Sequence, residues 1–168
     1  MKKLNIIAIF MALIANITFA AEVNVFSARH YDSDVQLYEK FTAKTGIKVN
    51  IISGKDKVLQ KRITEEGADS KADLYITADA GRLGAFASKG MFQNSMSPAI
   101  KAAVPSNFRT SKWTGIAKRA RIIYYSPERV SANDLKGMTY EGLADSKWKG
   151  RVVIRKSNNI YNQSLVAS

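Results

Sequence analysis

The first half of the chain alternates between extended and helical patterns, and this alternation restricts the fold more than any other sequence feature. Strands are predicted at residues 23–27, 47–52 and 72–77, where β-branched and other apolar residues recur at every second position. Between them, residues 33–46 and 55–67 show the spacing of amphipathic helices. Strands that alternate with helices of this length indicate an α/β domain with a parallel sheet covered on both faces.

The helices of this first half carry recognisable start and stop signals. The oxygens of residues 32–34 are expected to cap the first helix, and Gly46 is expected to end it. The inward-facing side chains are expected to be Leu37, Tyr38 and Phe41 in the first helix, and Leu59 and Ile63 in the second.

The pattern changes in the second half. Short helices are predicted at residues 79–90, 97–105 and 139–150, the second of them capped by Ser97 with Pro98 at its first position. Residues 113–126 read as two consecutive extended segments, residues 151–155 as a strand, and residues 157–168 as a loop that enters a helix.

The first twenty residues have the composition of a secretory signal peptide. Lys2 and Lys3 precede an apolar run at residues 4–17, and Ala20 offers a small residue for cleavage. An uncleaved anchor is the alternative, but the run is shorter than the roughly 20 residues of a membrane span. Either reading places the folded part outside the cytoplasm.

The composition excludes several classes of site. The 168 residues contain 26 Lys and Arg against 14 Asp and Glu, a formal net charge of +12, yet no basic motif flanked by aromatic residues. Export and the missing motif both argue against nucleic acid as a partner. Because the chain has no cysteine, any metal must be held by oxygen and nitrogen donors.

The predicted elements divide into two lobes. We expect a first α/β lobe over residues 21–117 and the start of a second over residues 118–168, after the signal peptide at residues 1–20. The last helix has hardly begun at Ser168, and so short a helix buries too little surface to offset its ordering entropy. We therefore expect a two-lobe protein whose second lobe is incomplete in this chain.

The single histidine, His30, lies next to Tyr31 at the first strand-to-helix junction. Ligands gather at the carboxyl ends of the strands in parallel sheets. Ser27, His30 and Asp32 are too close in sequence to converge as a nucleophile, base and orienting group, and the chain has no G-x-S-x-G motif. A hydrolase is therefore poorly supported.

A metal site is better supported by the chemistry of these side chains. Fe(III) is a hard cation that prefers anionic oxygen donors, and a bound cation can deprotonate a phenol whose ordinary pKa is about 10. His30 and Tyr31 would form one wall of such a site. The structural alternative is that His30 lies at the surface and that Tyr31 packs on the end of the sheet.

Tyr161 occupies a second loop-to-helix junction, among Asn158, Asn159 and Asn162. Most of the seven tyrosines are expected to be structural, including Tyr124 in the extended segment.

Five phrases resemble the bacterial periplasmic ferric-ion-binding proteins, the iron receptors of ABC importers. They are "FSARHYDSD", "FTAKTGIKV", "ADLYITADAGRL", "WTGIAKRAR" and "SNNIYNQSLVAS", in the family's order and spacing from about Val23 to Ser168. The resemblance implies a clamshell of the periplasmic-binding-protein type that closes over Fe(III) and catalyses no reaction. It implies Tyr31, His30 and Tyr161 as metal ligands, with two adjacent tyrosines further along the family's sequence.

The resemblance also implies a partner and a subgroup. The partner is an inner-membrane iron ABC permease, and the receptor acts as a periplasmic monomer. Relatives that bridge the metal with an anion have a glutamate after the "A-D-x-x-x-T" strand, but Ala78 stands here. We therefore expect no obligatory bridging anion. Arg119 lies near the cleft in the family, and its role here stays open.

Three other functions remain as alternatives. A receptor for an oxyanion or a polyamine would not need Tyr161, an exported hydrolase would depend on Ser27 or His30, and a basic interaction protein would bind anionic surfaces in a salt-dependent manner.

Overall fold

A parallel β-sheet organises the first part of the structure. The structure is a computed structural model that describes residues 21–29 and 31–167. The sheet consists of β1 (Glu22–Ser27), β2 (Lys48–Ser53) and β3 (Leu74–Ile76) in the order β2-β1-β3, with β1 parallel to both neighbours. The three predicted strands are thus confirmed in position and direction.

Two helices cover opposite faces of this sheet. The α2 helix (Asp56–Glu66) lies over Phe26, which is fully buried, and its Leu59 and Ile63 are buried as predicted. The α1 helix (Asp32–Thr45) packs near β2 on the other face, towards Ser27. Successive side chains of β1 point to opposite faces of the sheet, so Phe26 lies under α2 while Ser27 lies on the side of α1.

The packing of α1 differs from its predicted pattern. Leu37 is 62% exposed and Phe41 is 43% exposed, whereas Tyr38 is half-buried. The predicted cap is also wrong, because the residue that precedes the helix is Tyr31 and no side chain caps its first turn. Gly46 does end the helix in a left-handed conformation (φ 73°).

The second part of the structure is built from short helices. They are α3 (Ala80–Ala87), α4 (Pro98–Ala103) and α5 (Ile160–Val166), with 3-10 helices at Ser106–Phe108, Ala132–Leu135, Glu141–Ala144 and Ser146–Trp148. Ser97 caps α4 by accepting a hydrogen bond from the Ile100 N–H (3.2 Å), as predicted. Phe86 and Trp148 are the buried apolar side chains of this part.

Several predicted elements of this second part do not form. Residues 113–126 contain no strand, and Thr114 makes only an isolated bridge to Arg109. The strand predicted at residues 151–155 is also wrong, since Val153 is fully exposed and no neighbouring backbone in the described residues completes a ladder. The helix predicted at residues 139–150 is two 3-10 helices instead.

The described residues divide into two compact units with different charge. The first unit extends to Ala78 and the second begins at Asp79. The predicted lobe boundary between residues 117 and 118 falls inside the second unit, and it stays a prediction. Residues 21–78 contain nine basic and nine acidic residues, whereas residues 79–168 contain fifteen basic and five acidic ones.

Two predicted features fall outside the described residues. They are the signal peptide at residues 1–20 and the side chain of His30. Within residues 21–29 and 31–167, no helix has the length and apolar character needed to cross a membrane.

Candidate metal-binding site

Tyr31 stands at the carboxyl end of β1, where the chain turns into α1. The Ala28 N–H donates to the carbonyl of Ile76 at the end of β3 (2.8 Å), and the Arg29 N–H donates to Oγ of Ser27 at the end of β1 (3.1 Å). These two hydrogen bonds fix the turn. Tyr31 itself is extended (φ −94°, ψ 132°) and 45% exposed. The local hydrogen bonds thus hold the backbone of the turn while they leave this side chain accessible.

An ion pair lies directly beside Tyr31. Arg29 donates two hydrogen bonds to the carboxylate of Asp34, from Nε (2.8 Å) and from Nη2 (3.0 Å). These hydrogen bonds lower the pKa of Asp34 and raise that of Arg29. The guanidinium carbon also lies 4.9 Å from the centre of the Tyr31 ring. A fixed positive group therefore stands against the phenol.

An open pocket of about 210 Å³ adjoins this ion pair. Its walls include Ser27, Arg29, Tyr31, Asp34, Tyr38 and Ser53. Burial, followed by the nearby charge of Asp34, raises the pKa of Tyr38. Tyr38 is half-buried at this pocket, in agreement with its predicted inward-facing position.

Tyr75 is a second structural tyrosine of the first unit. Burial, together with its hydrogen bond to Asp56, raises the pKa of Tyr75 to about 12. Thr77 also donates to Asp56, and Gln60 donates to the Tyr75 hydroxyl (3.1 Å). This network ties the start of α2 to the end of β3.

Tyr161 lies in the first turn of α5, in the second unit. Its N–H donates to the side chain of Asn159 (3.0 Å), which caps the helix, and Asn162 donates to the Arg155 carbonyl (3.0 Å). Two of the asparagines that surround Tyr161 in the sequence therefore have structural functions.

Two guanidinium groups lie near the Tyr161 ring. The guanidinium carbons of Arg155 and Arg121 are 5.3 Å and 5.8 Å from the ring centre. Arg119, whose role the sequence left open, is exposed, so the arginine of the "KRAR" phrase that contacts the tyrosine is Arg121. Positive charge thus stands beside Tyr161, as it does beside Tyr31.

Sequence reasoning missed the contacts of Arg29 and Arg121. The hydrogen bonds from Arg29 to Asp34 have a weak sequence signal, because the two residues lie five positions apart across a helix start. The second contact joins Arg121 to Asp79, 42 positions away, and local sequence gives no signal for it.

The structure assigns Tyr31 to the first unit and Tyr161 to the second. The ligand set of His30, Tyr31 and Tyr161 stays a prediction. Among the described residues, no cluster of three or more histidine, aspartate or glutamate side chains could hold a metal.

The sequence matches the family described as bacterial extracellular solute-binding protein over residues 36–168. The chain belongs to this family. This chain is 51% identical over 149 residues to "Iron uptake protein A1" of Synechocystis, an alignment that covers 88% of this chain and 41% of the relative.

Solved structures show the same likeness. The Trichodesmium protein named IdiA or FutA, in complex with iron and citrate, is 48% identical with a TM-score of 0.81, over 88% of this chain and 46% of that one. The ferric binding protein from Campylobacter jejuni is 37% identical with a TM-score of 0.76, over 86% of this chain and 46% of that one. These neighbours confirm the predicted α/β fold of the periplasmic-binding-protein type.

This chain spans less than half the length of these relatives, 41% of the Synechocystis protein and 46% of each of the two solved chains.

Proposed function

We propose that the complete protein binds Fe(III) in the periplasm and delivers it to an inner-membrane ABC importer, without catalysing a reaction. One observation carries this proposal. Each of the two units presents a tyrosine at a loop-to-helix junction with a guanidinium group against its ring, at Tyr31 and at Tyr161. The names of the relatives, which refer to iron uptake and ferric binding, support the choice of cargo.

The proposed chemistry follows from charge and hardness. Phenolate oxygens are hard anionic donors that suit Fe(III). Several phenolates around one ion place excess negative charge in the site, and the neighbouring guanidinium groups offset part of it. Tyr31, His30 and Tyr161 are the proposed ligands from this chain. The resemblance adds two adjacent tyrosines beyond residue 168.

Binding is proposed to close two lobes over the metal. The first lobe, residues 21–117, would supply His30 and Tyr31, and the lobe that begins at residue 118 would supply Tyr161. The metal binds the closed form better than the open form, so occupancy shifts the population towards closure. Protons compete with iron for the phenolates, and acid therefore favours release.

The remaining proposals concern the surroundings of the site. Residues 1–20 direct export to the periplasm, where the protein acts as a monomer and meets the permease, and nucleic acid is not a partner. Ala78 stands where anion-bridged relatives have a glutamate, so no bridging anion is required. The Trichodesmium protein binds iron with citrate, and citrate is therefore the informative anion to vary in a test.

Replacement of Tyr161 by phenylalanine in the complete protein tests this function. We expect Tyr161→Phe to weaken iron binding by at least about tenfold, because loss of a direct ligand should exceed the effect of an outer partner. The measurements are competition with a ferric chelator, with and without citrate, and the visible phenolate-to-iron absorption band. Tyr125→Phe, at a tyrosine that is 45% exposed, is the matched control.

The two variants should behave differently. Equal iron affinity in Tyr161→Phe and the unmodified protein would reject Tyr161 as a ligand. Failure of the unmodified complete protein to show any phenolate-to-iron band would reject the ferric function itself. A strict need for citrate would reject the proposal that no anion is required.

A further inference from the structure

Asp79 has an unusual backbone and an almost buried side chain. Among the described residues, Asp79 is the one residue other than glycine that has a positive φ (85°). The side chain is only 7% exposed, and Oδ1 accepts a hydrogen bond from the Gly81 N–H (2.9 Å) at the start of α3. A helix cap of this kind needs only one of the two carboxylate oxygens.

The second carboxylate oxygen is engaged with two other segments. Oδ2 accepts a hydrogen bond from Ser164 Oγ and another from Arg121 Nη2 (3.3 Å). Ser164 lies in α5, three residues after Tyr161 and therefore on the same side of that helix. Asp79 thus bonds the helix that carries Tyr161 and an arginine that contacts the Tyr161 ring.

The packing around Asp79 is close. A Cβ atom at Gly81 would lie 3.1 Å from Asp79 Oδ1, which is tighter than an ordinary contact, so glycine leaves room for the carboxylate. The same Cβ would lie 3.9 Å from Ile160 Cδ1, an ordinary van der Waals distance, and α3 and α5 are in contact. Ile160 directly precedes Tyr161 in the first turn of α5. The start of α3 is therefore in contact with the turn that positions the tyrosine.

We infer that Asp79 is a positioning residue for Tyr161. Its carboxylate holds α5 through Ser164 and holds the guanidinium of Arg121 against the phenol, so that one anionic group sets both the direction of the side chain and the charge beside it. This inference rests on the proposed function, because its effect is read at the bound iron. It does not make Asp79 a metal ligand.

A double-mutant cycle in the complete protein tests the inference. Asp79→Asn keeps the shape of the side chain and its cap while it removes the charge. We expect Asp79→Asn to speed iron loss to a chelator by roughly tenfold, and to shift the phenolate-to-iron band, as outer partners of metal ligands commonly do. Ser164→Ala should change both quantities in the same direction and more weakly.

Asp134→Asn is the matched control. Asp134 is also an aspartate of the second unit that caps a short helix, through Ser131 at the 3-10 helix Ala132–Leu135. This substitution should leave the absorption band and the rate of iron loss unchanged.

The decisive comparison is made in the Tyr161→Phe background. If Asp79 acts through Tyr161, Asp79→Asn should add little there, whereas a general loss of structure would add its full effect. An equal effect in both backgrounds, or equality of Asp79→Asn with Asp134→Asn, would overturn the inference. If the unmodified complete protein binds no iron, the proposed function itself is rejected, and this result is distinct from a failure of the inference about Asp79.

Discussion

At the scale of single residues, four of the seven tyrosines differ in their surroundings. Tyr38 and Tyr75 have raised pKa values because they are partly buried and lie near carboxylates. Tyr31 and Tyr161 each have a guanidinium group against the ring, although the charge of Arg29 also acts on Tyr38. Contact of a guanidinium group with the ring is therefore the feature that the two predicted ligands share.

The ion pair beside Tyr31 should stabilise the fold in a pH-dependent manner. The pKa of Asp34 is below its ordinary 3.8 in the folded protein, so the stabilisation is present above that value and is lost as the pH falls through the lowered pKa. We expect Asp34→Asn to reduce the free energy of unfolding by about 1.5–3 kcal/mol at pH 7. Urea unfolding at pH 7 and at the lowest accessible pH measures the difference.

The control for this substitution is Asp69→Asn, at an exposed position outside the ion pair. It should change the free energy of unfolding far less at either pH. A constant destabilisation by Asp34→Asn across the pH range would show that packing is lost instead of charge pairing.

These residues also mark the limit of inference from sequence. The junction of Tyr31 could be predicted because a strand pattern and a helix pattern meet there. The capping function of Asp34 was predicted wrongly because its carboxylate is bound by Arg29, and the choice between the two donors depends on three-dimensional geometry. The hydrogen bond from Ser164 to Asp79 joins residues that are 85 positions apart, and local sequence patterns do not predict a contact at that separation.

At the scale of elements, α1 and α2 show how differently two amphipathic helices can pack. Leu59 and Ile63 were predicted as core residues and are buried, because α2 packs against the sheet over Phe26. Leu37 was predicted in the same way and is exposed, since α1 turns Tyr38 towards the sheet instead. Periodicity predicts that a helix has an apolar face, but the angle of packing decides which residues are covered.

Matched leucine substitutions test this difference in the described fold. We expect Leu59→Ala to reduce the free energy of unfolding by about 2–5 kcal/mol, because it leaves a cavity between α2 and the sheet. Leu37→Ala should change it by no more than about 0.5 kcal/mol, as expected at an exposed site. Denaturant titration measures both values, and equal losses would show that α1 is buried in solution.

The strand that fails to form at residues 151–155 illustrates the same limit. Its β-branched residues satisfy the local preference for an extended conformation. A strand also needs a neighbouring backbone, and none in the described residues pairs with it. Local preference alone therefore does not establish a strand.

At the scale of the whole molecule, the two units differ sharply in charge. The first is balanced, whereas the second carries an excess of ten positive charges. Like charges within one compact unit repel each other, and dissolved salt screens this repulsion as the Debye length falls from about 30 Å at 0.01 M to about 8 Å at 0.15 M. The two units should therefore respond differently to salt.

Hydrogen exchange can resolve that response along the chain. We expect backbone amide protection in residues 79–167 to rise as sodium chloride is increased from low to physiological concentration, while protection in residues 21–78 changes much less. Peptide-level exchange followed by mass spectrometry is the measurement. An equal gain in both units would indicate a general effect of salt instead of relief of self-repulsion.

The left-handed backbone of Asp79 has a consequence for how this protein can be altered by selection. Only glycine adopts such a conformation without strain, which for other residues costs on the order of 1–3 kcal/mol. Glycine would relieve this strain, but it would also remove the hydrogen bonds that the carboxylate accepts from Gly81, Ser164 and Arg121. A library screened for heat tolerance should therefore replace Asp79 only together with changes at Ser164 and Arg121, which couples three codons.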